Sequence, residues 1–498
     1  MQYAWQNIPF FCILLCIASA SFTSVLPRRA ARALCLAVIL AVIVMGMALI
    51  GPIMRLGEPY TFMMGHFPAP WGNEIRVGLL EAVVGLVFPI IMLLALLGGL
   101  DRIDEHIFED KQNFYYIMLE LLLAALLAQV YTNDLFTAYV FVEIMTLSAC
   151  SLITARSKGR TLVAATRYMI MNLMGSGLFL LGLSFLYGMT GHLLMGNIHE
   201  QVVLLTEAGS YPYALTVTVT LMSLGLCIKS ALFPFHTWLP DAYGYSTPTS
   251  SAVLSSLVSK GYIFLLIKFF YRVIGMDIIV HTRITNILFV FGLVGTIMGS
   301  LSAIREKDIR RMVSFSSVAQ IGYIYMGIGM GSEAGMVAAI FHIFVHGLAK
   351  SMLFLSTSGL VQVSGDSKLF RDLRGSGFRN PIAGVAFTVG SFSMVGIPFL
   401  GGFISKVYFA KAAMLMNPTE TLIVLLVLAA STILNTIYFL KTVITLYRPP
   451  EGETVSERYR PAPAFALSML CLIAGNFVLG TFSQPIVEAI RAGLRMFA

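Results

Sequence analysis

Apolar residues run along this chain in stretches of about 20, and most arginines fall in the short polar segments between them. A run of that length crosses a bilayer as a helix. The pattern predicts fourteen spans. They lie near 6–26, 33–53, 77–99, 114–131, 133–154, 164–188, 213–233, 249–272, 284–303, 312–330, 334–362, 382–414, 421–446 and 462–482. Pro398 and its neighbouring glycines interrupt the 382–414 stretch. The last residues, Gln484 to Ala498, alternate as an amphipathic helix with Glu488, Arg491 and Arg495 on its polar side, fit to lie along an interface. The Ile53–Arg76 segment, rich in Gly, Pro and aromatic residues, is expected to form a small hairpin cap.

The composition fits an all-α polytopic membrane protein without a soluble domain. Of 498 residues, 57% are hydrophobic and only 12% charged, where a soluble chain carries about 25% charged residues. The net charge of +8 does not point to nucleic acid, because the basic residues sit in loops between apolar spans. The six cysteines lie mostly in apolar stretches and read as buried small residues. The first apolar stretch has no basic region before it and reads as a retained span, not a cleaved signal. Arg55, Arg76, Arg272, Arg283, Arg491 and Arg495 fall on one side of the predicted topology, and the other loop arginines and lysines on the opposite side. The positive-inside rule then puts both termini on the outer face of a bacterial or archaeal inner membrane. The acidic 101–110 segment reads as a solvated loop.

Glu143, Lys229, Lys260, His342, His346, Lys350 and Lys406 lie inside apolar segments. A charge at bilayer depth costs about 2.5–3.5 kcal/mol on insertion scales, so such residues usually face a bundle interior and mark ion or proton routes. Lys229 precedes Pro234, His236, Trp238 and Asp241; Lys406 follows Gly396, Pro398 and Gly401. A proline removes a backbone donor and breaks the helix, and broken helices in transporters build ion sites. The two segments order lysine and break in opposite senses, as an inverted repeat would. His342, His346 and Lys350 follow at steps of four and share one helix face. Histidine titrates near neutral pH and shuttles protons. A metal or haem on the His342/His346 pair is the competing reading, and no third ligand stands out. Lys268, Lys411 and Lys441 are expected to snorkel.

These residues and the blocks around them resemble a known family. The blocks are Lys229-Ser-Ala…Pro-Phe-His-x-Trp-Leu-Pro-Asp-Ala242, Asp308-Ile-Arg-Arg-Met-Val-Ser-Phe-Ser-Ser-Val-Ala-Gln-Ile-Gly-Tyr323, His342-x3-His346-x3-Lys350 and Gly396-Ile-Pro…Gly-Phe-x-Ser-Lys406. Over about residues 110–445 the chain resembles the antiporter-like proton-translocating subunits of respiratory complex I, Mrp-type sodium/proton antiporters and group 4 membrane-bound hydrogenases. The resemblance implies about 14 helices with two inverted five-helix repeats and two broken helices. Helices 1–3 would occupy residues 1–110, the first repeat 111–272, the second 273–446, and helix 14 with the tail 447–498. It implies that Glu143 and Lys229 form the charged pair of the first half-channel, with Pro234, His236 and Asp241 in support. Lys260, His342, His346 and Lys350 would continue the path, and Lys406, beside Pro398, would occupy the terminal site.

The Asn172–Gly191 region looks most like Mrp D-type and hydrogenase-type members. The expectation is a proton- or cation-translocating subunit of a multisubunit inner-membrane complex, with other membrane subunits as partners and sodium as a second candidate ion. The alternatives are an antiporter-like subunit of an NADH:quinone oxidoreductase, or a redox subunit binding quinone or haem. The chain carries no flavin, nicotinamide or iron–sulfur motif, so no cofactor is expected and any redox reaction would belong to partners.

Overall fold

Inside a bilayer each backbone donor and acceptor must be satisfied within the protein, and a helix does this within one segment. The computed structural model describes residues 4–64, 67, 72–449 and 459–497. In chain order the elements begin with α1 (Ile8–Thr23) and α2 (Arg28–Leu56), then β1 (Tyr60–Met63) and β2 (Glu74–Val77). Next come α3 (Leu79–Leu97), α4 (Leu100–His106), α5 (Glu109–Tyr131), α6 (Leu135–Thr154), α7 (Gly159–Thr190), α8 (Met195–Glu207) and α9 (Pro212–Lys229). The middle of the chain holds α10 (Leu239–Tyr245), α11 (Pro248–Val253), α12 (Ser259–Lys268), α13 (Met276–His281), α14 (Ile284–Arg305), α15 (Ile309–Gly329) and α16 (Glu333–Gln362). The last elements are α17 (Ser376–Arg379), α18 (Pro381–Val395), α19 (Gly401–Ala413), α20 (Pro418–Tyr447), α21 (Pro463–Thr481) and α22 (Ser483–Arg495).

Among the described residues, twelve helices are long and apolar enough to cross a membrane. One of them, Pro248–Ile274, is a continuous rod made of α11, α12 and two π-helical segments. The α15 helix and the interrupted α18–α19 pair fill the remaining two places of the fourteen that the hydropathy pattern predicts. α15 is less apolar because it carries Arg310, Arg311 and serines at 314, 316 and 317, yet it is buried along nearly its whole length.

The hairpin expected after α2 forms: β1 pairs antiparallel with β2, Tyr60 opposite Val77 and Met63 opposite Glu74. Its tip lies partly outside the described residues. The acidic 101–110 segment is not simply a solvated loop. Leu100–His106 is helical and Arg102 is buried, pairing with Glu105 and with Asp366. Asp104 meets Arg32 at 3.2 Å and Glu109 meets Arg28 at 2.9 Å. The acids neutralise this chain's own basic loops, which the linear sequence cannot show. The tail helix α22 turns Val487, Ile490 and Leu494 into the protein against α3 and leaves Glu488, Arg491 and Arg495 on its outer side. Of the cysteines, Cys12, Cys16, Cys35 and Cys227 are buried as expected, Cys150 is half-buried, and Cys471 is exposed on α21.

Where lipid supplies no hydrophobic drive between helices, close packing of small residues must hold them. At Gly322 of α15 an added Cβ would lie 2.5 Å from the backbone nitrogen of Thr296 on α14. At Gly292 it would lie 2.4 Å from the backbone nitrogen of Met326. Backbone touches backbone, so neither position has a side chain that can move aside. Gly322→Ala is expected to cost about 1–3 kcal/mol through overpacking. Gly177→Ala, into open space on α7, should be neutral or slightly stabilising. Thermal unfolding in detergent checks both, and a wild-type melting point for Gly322→Ala would remove this contact as a support of the fold.

Candidate functional site

α9 stops at Lys229. After it the chain turns through Ala231 at φ 62°, passes a cis Phe233–Pro234 peptide and forms a short 3-10 turn at Phe235–Trp238 before α10. The Lys229 side chain is fully buried. Its ammonium donates to Thr146 Oγ1 at 2.8 Å and to Glu143 Oε1 at 3.3 Å, and lies 5.4 Å from the Tyr262 ring centroid. The Tyr262 hydroxyl is 2.9 Å from Thr146 Oγ1. Glu143, on α6, also accepts from the Ser176 hydroxyl of α7. Its side chain is 25% exposed. The structure therefore brings Glu143 and Lys229 into one contact, with hydroxyls on both sides.

Lys260 lies just after the π-helical segment Leu254–Val258 and donates to the backbone carbonyl of Ser255. A π turn loosens the regular hydrogen-bond ladder, which leaves a carbonyl for the ammonium. Serines line this stretch: Ser255 bonds Ser317 at 3.1 Å and Ser256 bonds Ser351 at 2.9 Å. On α16, Lys350 donates to the Val313 carbonyl at 3.0 Å and to the Ser316 hydroxyl. One turn back, the two nitrogens of His346 have no protein hydrogen-bond partner among the described residues. His342 Nδ1 shares a hydrogen bond with Ser405 Oγ at 2.7 Å, and its ring centroid is 6.1 Å from that of His346.

The second interruption mirrors the first in parts but not in order. α18 ends at Val395, Gly396 takes φ 93°, Phe399 takes φ 71°, and α19 begins at Gly401. Lys406 reaches back across the break and donates to the Val395 carbonyl at 2.6 Å and to Thr432 Oγ1 on α20 at 2.7 Å. An added Cβ at Gly396 would sit 3.0 Å from the Lys406 side chain. Pro398 lies in the break itself.

Two supporting positions go elsewhere. Asp241 accepts from Arg167 at 2.6 Å and also pairs with Arg311, so it belongs to an ion-pair cluster at the basic side and not to the Lys229 contact. His236 stacks on Phe233, with ring centroids 5.2 Å apart. Among the described residues, Lys229 is the one lysine in contact with a carboxylate. Lys260, Lys350 and Lys406 are held by carbonyl and hydroxyl oxygens.

Residues 132–433 match the family described as NADH:quinone oxidoreductase/Mrp antiporter, TM. The chain belongs to this family. A relative from Desulforudis audaxviator, named NADH-quinone oxidoreductase subunit N, is 30% identical over 97% of each chain. A D-type Na(+)/H(+) antiporter subunit from Alkalihalophilus pseudofirmus is 26% identical over 85% of this chain and 83% of its own. The fold matches a chain of the membrane-bound sulfane sulfur reductase, an archaeal respiratory membrane complex, with a TM-score of 0.86. That match is 24% identical and covers 99% and 98% of the two chains. The all-α polytopic expectation agrees with this kinship.

Several charged positions behave differently from the sequence expectation. Lys268 does not snorkel. It is fully buried and donates to the carbonyls of Gln129, Val130 and Thr132 at 3.1, 2.9 and 2.6 Å, where α5 ends with orphan acceptors. Arg272 is not a loop residue. It lies in the π-helical segment Phe269–Ile274 and forms an ion pair with Glu81 of α3, both side chains at most 1% exposed. The Phe497 ring covers its guanidinium at 4.4 Å. Arg310 is likewise buried, and donates to the Ser246 carbonyl at 2.7 Å and to Ser251 Oγ at 2.6 Å. Lys411 and Lys441 are exposed, as snorkelling requires. The sequence does not single out the hydroxyls of Thr146, Ser176, Tyr262, Ser316, Ser405 and Thr432, because serine and threonine are frequent in these helices and only contact distinguishes them.

In the loop before α17, burial pushes the Lys368 ammonium down to about 6 from 10.5, with Arg310 acting the same way and Asp308 opposing. It donates to the Gly244 carbonyl at 2.8 Å. An unfolded lysine keeps its proton until about pH 10.5, so between roughly pH 6 and 10 unfolding takes up a proton and stability rises with pH. Lys368→Met should flatten that rise in a series of melting points from about pH 6 to 9; equal slopes would mean that Lys368 stays charged in the fold. Arg272→Met leaves Glu81 buried without its partner and is expected to cost about 3–5 kcal/mol. Adding Glu81→Gln should recover a large part of the loss, and a double variant no more stable than the single one would contradict the pairing.

Proposed function

We propose that this chain is a proton-translocating subunit of a multisubunit inner-membrane complex, of the Mrp D, complex I subunit N or membrane-bound hydrogenase type. The observation that carries the reading is the set of buried lysines held by neutral oxygens instead of carboxylates. A carboxylate would pin the proton on the ammonium, since a nearby opposite charge favours the charged form. Carbonyl and hydroxyl acceptors leave it free to depart and return.

In this reading Glu143 and Lys229 act as the switch of the first half. Protonation of Glu143 removes the charge that holds the Lys229 proton, and Thr146 and Tyr262 take the next positions toward Lys260. His346 and His342 link Lys260 and Lys350 to Lys406, which stands at the second broken helix. The unpartnered nitrogens of His346 suit a group that both accepts and gives a proton. Each step changes the field at the next group. The domain division follows: helices up to residue 110 precede a first repeat at 111–272 and a second at 273–446. The basic loops mark the inner side, so both termini face outward. The relatives named above supply the class of partner, other membrane subunits, and sodium as a second ion in an antiporter setting.

The test is transport by the assembled complex in membrane vesicles. Glu143→Ala, Lys229→Ala and Lys406→Ala should each lower proton transport by about a hundredfold or more, as loss of a proton-transfer group does. Assembly should be unchanged, and Lys411→Ala should behave as wild type. An assembled Lys229→Ala or Glu143→Ala complex that transports normally would sink the pathway.

A further inference from the structure

A cleft of 730 Å³ opens on the basic side between the C-terminal half of α20 and the segment Phe370–Arg374. Its mouth carries four cationic side chains, Arg371, Arg374, Lys441 and Arg448. Arg371 shares its charge with Asp372 at 3.2 Å. Lys441 and Arg448 are exposed and have no ion pair among the described residues. The body of the cleft is apolar and open: Leu440 is 42% exposed and Ile444 59%. No carboxylate lines it among the described residues.

We propose that this cleft binds an anionic phospholipid, with the phosphate held by Lys441 and Arg448 and an acyl chain lying along Leu440 and Ile437. Three features converge on that occupant. Lys441 lies in the last two turns of a helix long and apolar enough to span a membrane, and Arg448 just past its end. Ile437 and Ile433, 47% and 61% exposed, lie one and two turns from Lys441 toward the middle of α20, along the course an acyl chain takes. The loops of this side are the basic ones, and the leaflet they face attracts basic residues through its anionic lipids. A guanidinium beside an ammonium suits phosphate, the first by paired hydrogen bonds and the second as a point charge.

The site has a neighbour that gives it a consequence. A cavity of 80 Å³ shares Phe370, Ile437, Lys441 and Thr445 with the cleft and reaches inward to Met312 and Tyr438; Glu306 also lines it, its carboxylate paired with Arg311 at 3.1 Å. Tyr438 donates to Asn435 at 2.6 Å, and its ring lies 4.6 Å from that of Phe439, which faces Lys350. A headgroup at Lys441 therefore stands at the mouth of a recess that points toward the buried lysines.

The experiment is native mass spectrometry of the full chain in mild detergent with added phosphatidylglycerol or phosphatidylcholine. Phosphatidylglycerol should be retained in preference. Each surface cation contributes roughly a fivefold effect on anionic-lipid binding, so Lys441→Gln/Arg448→Gln should lower retention by more than about tenfold. Arg28→Gln/Arg29→Gln, basic positions of the same side at a different place, should retain it as wild type. If Lys441→Gln/Arg448→Gln fails to fold by gel filtration, Arg371→Gln/Lys441→Gln takes its place. Equal retention of the two lipids overturns the proposal. So does unchanged retention in the folded variant, or a co-purifying acidic protein segment whose removal alone opens the cleft.

Discussion

An ammonium inside a helical bundle must be given oxygen, and the helices have almost none to spare. Regular α-helix consumes its carbonyls in its own ladder, so acceptors appear only where that ladder is loosened, ended or supplemented by a hydroxyl. The buried lysines follow this rule. Lys260 uses a carbonyl of a π-helical segment, and Lys406 uses Val395 at the end of α18. Lys268 uses the carbonyls where α5 ends, and Lys350 adds the Ser316 hydroxyl to the Val313 carbonyl. The breaks, the π turns and the serine-rich faces answer one demand, and the positions of the lysines fix where each of them falls.

Two kinds of buried cation result. Lys229 and Arg272 have carboxylates, while Lys260, Lys350 and Lys406 are held by neutral oxygens. The Arg272–Glu81 pair ties the long Pro248–Ile274 rod to α3 and is closed over by Phe497. It has the character of a structural rivet. The lysines without a counter-charge keep their protons only as firmly as neutral dipoles allow. The two ion pairs also differ from each other: Arg272–Glu81 is closed from solvent on both sides, whereas the Glu143 side chain of the Lys229 pair is 25% exposed.

Much of this was legible in the chain. The hydropathy pattern located α16 at 334–362 against an observed Glu333–Gln362, because length and apolarity alone define such a helix. Pro234 and the Gly396–Pro398 pair announced both interruptions, since proline and glycine act on the local backbone. The pairing of Lys229 with Glu143 came from family resemblance; spacing alone does not dictate a contact between residues on α9 and α6. What the sequence hid was partnership across distance. Lys268 looked like a snorkelling side chain because its acceptors lie at the end of α5, and Arg272 looked like a loop charge because Glu81 lies on α3. Asp241 stood beside the Lys229 motif in sequence, yet the turn through Pro234 carries it to Arg167 and Arg311 instead.

The glycine contact between α14 and α15 has a consequence for how energy crosses the molecule. Two helices whose backbones touch cannot slide or tilt past one another without losing that contact, so this pair is a stiff wall. α15 is also the wall that supplies Val313 and Ser316 to Lys350. The two helices would move as one body, which leaves no relative displacement between them. Charge does not need displacement. Two unit charges about 10 Å apart at an effective dielectric of about 20 interact by roughly 1.7 kcal/mol, more than tenfold in an equilibrium constant. With α14 and α15 fixed against each other, neighbouring charged groups along this wall act on one another through their fields.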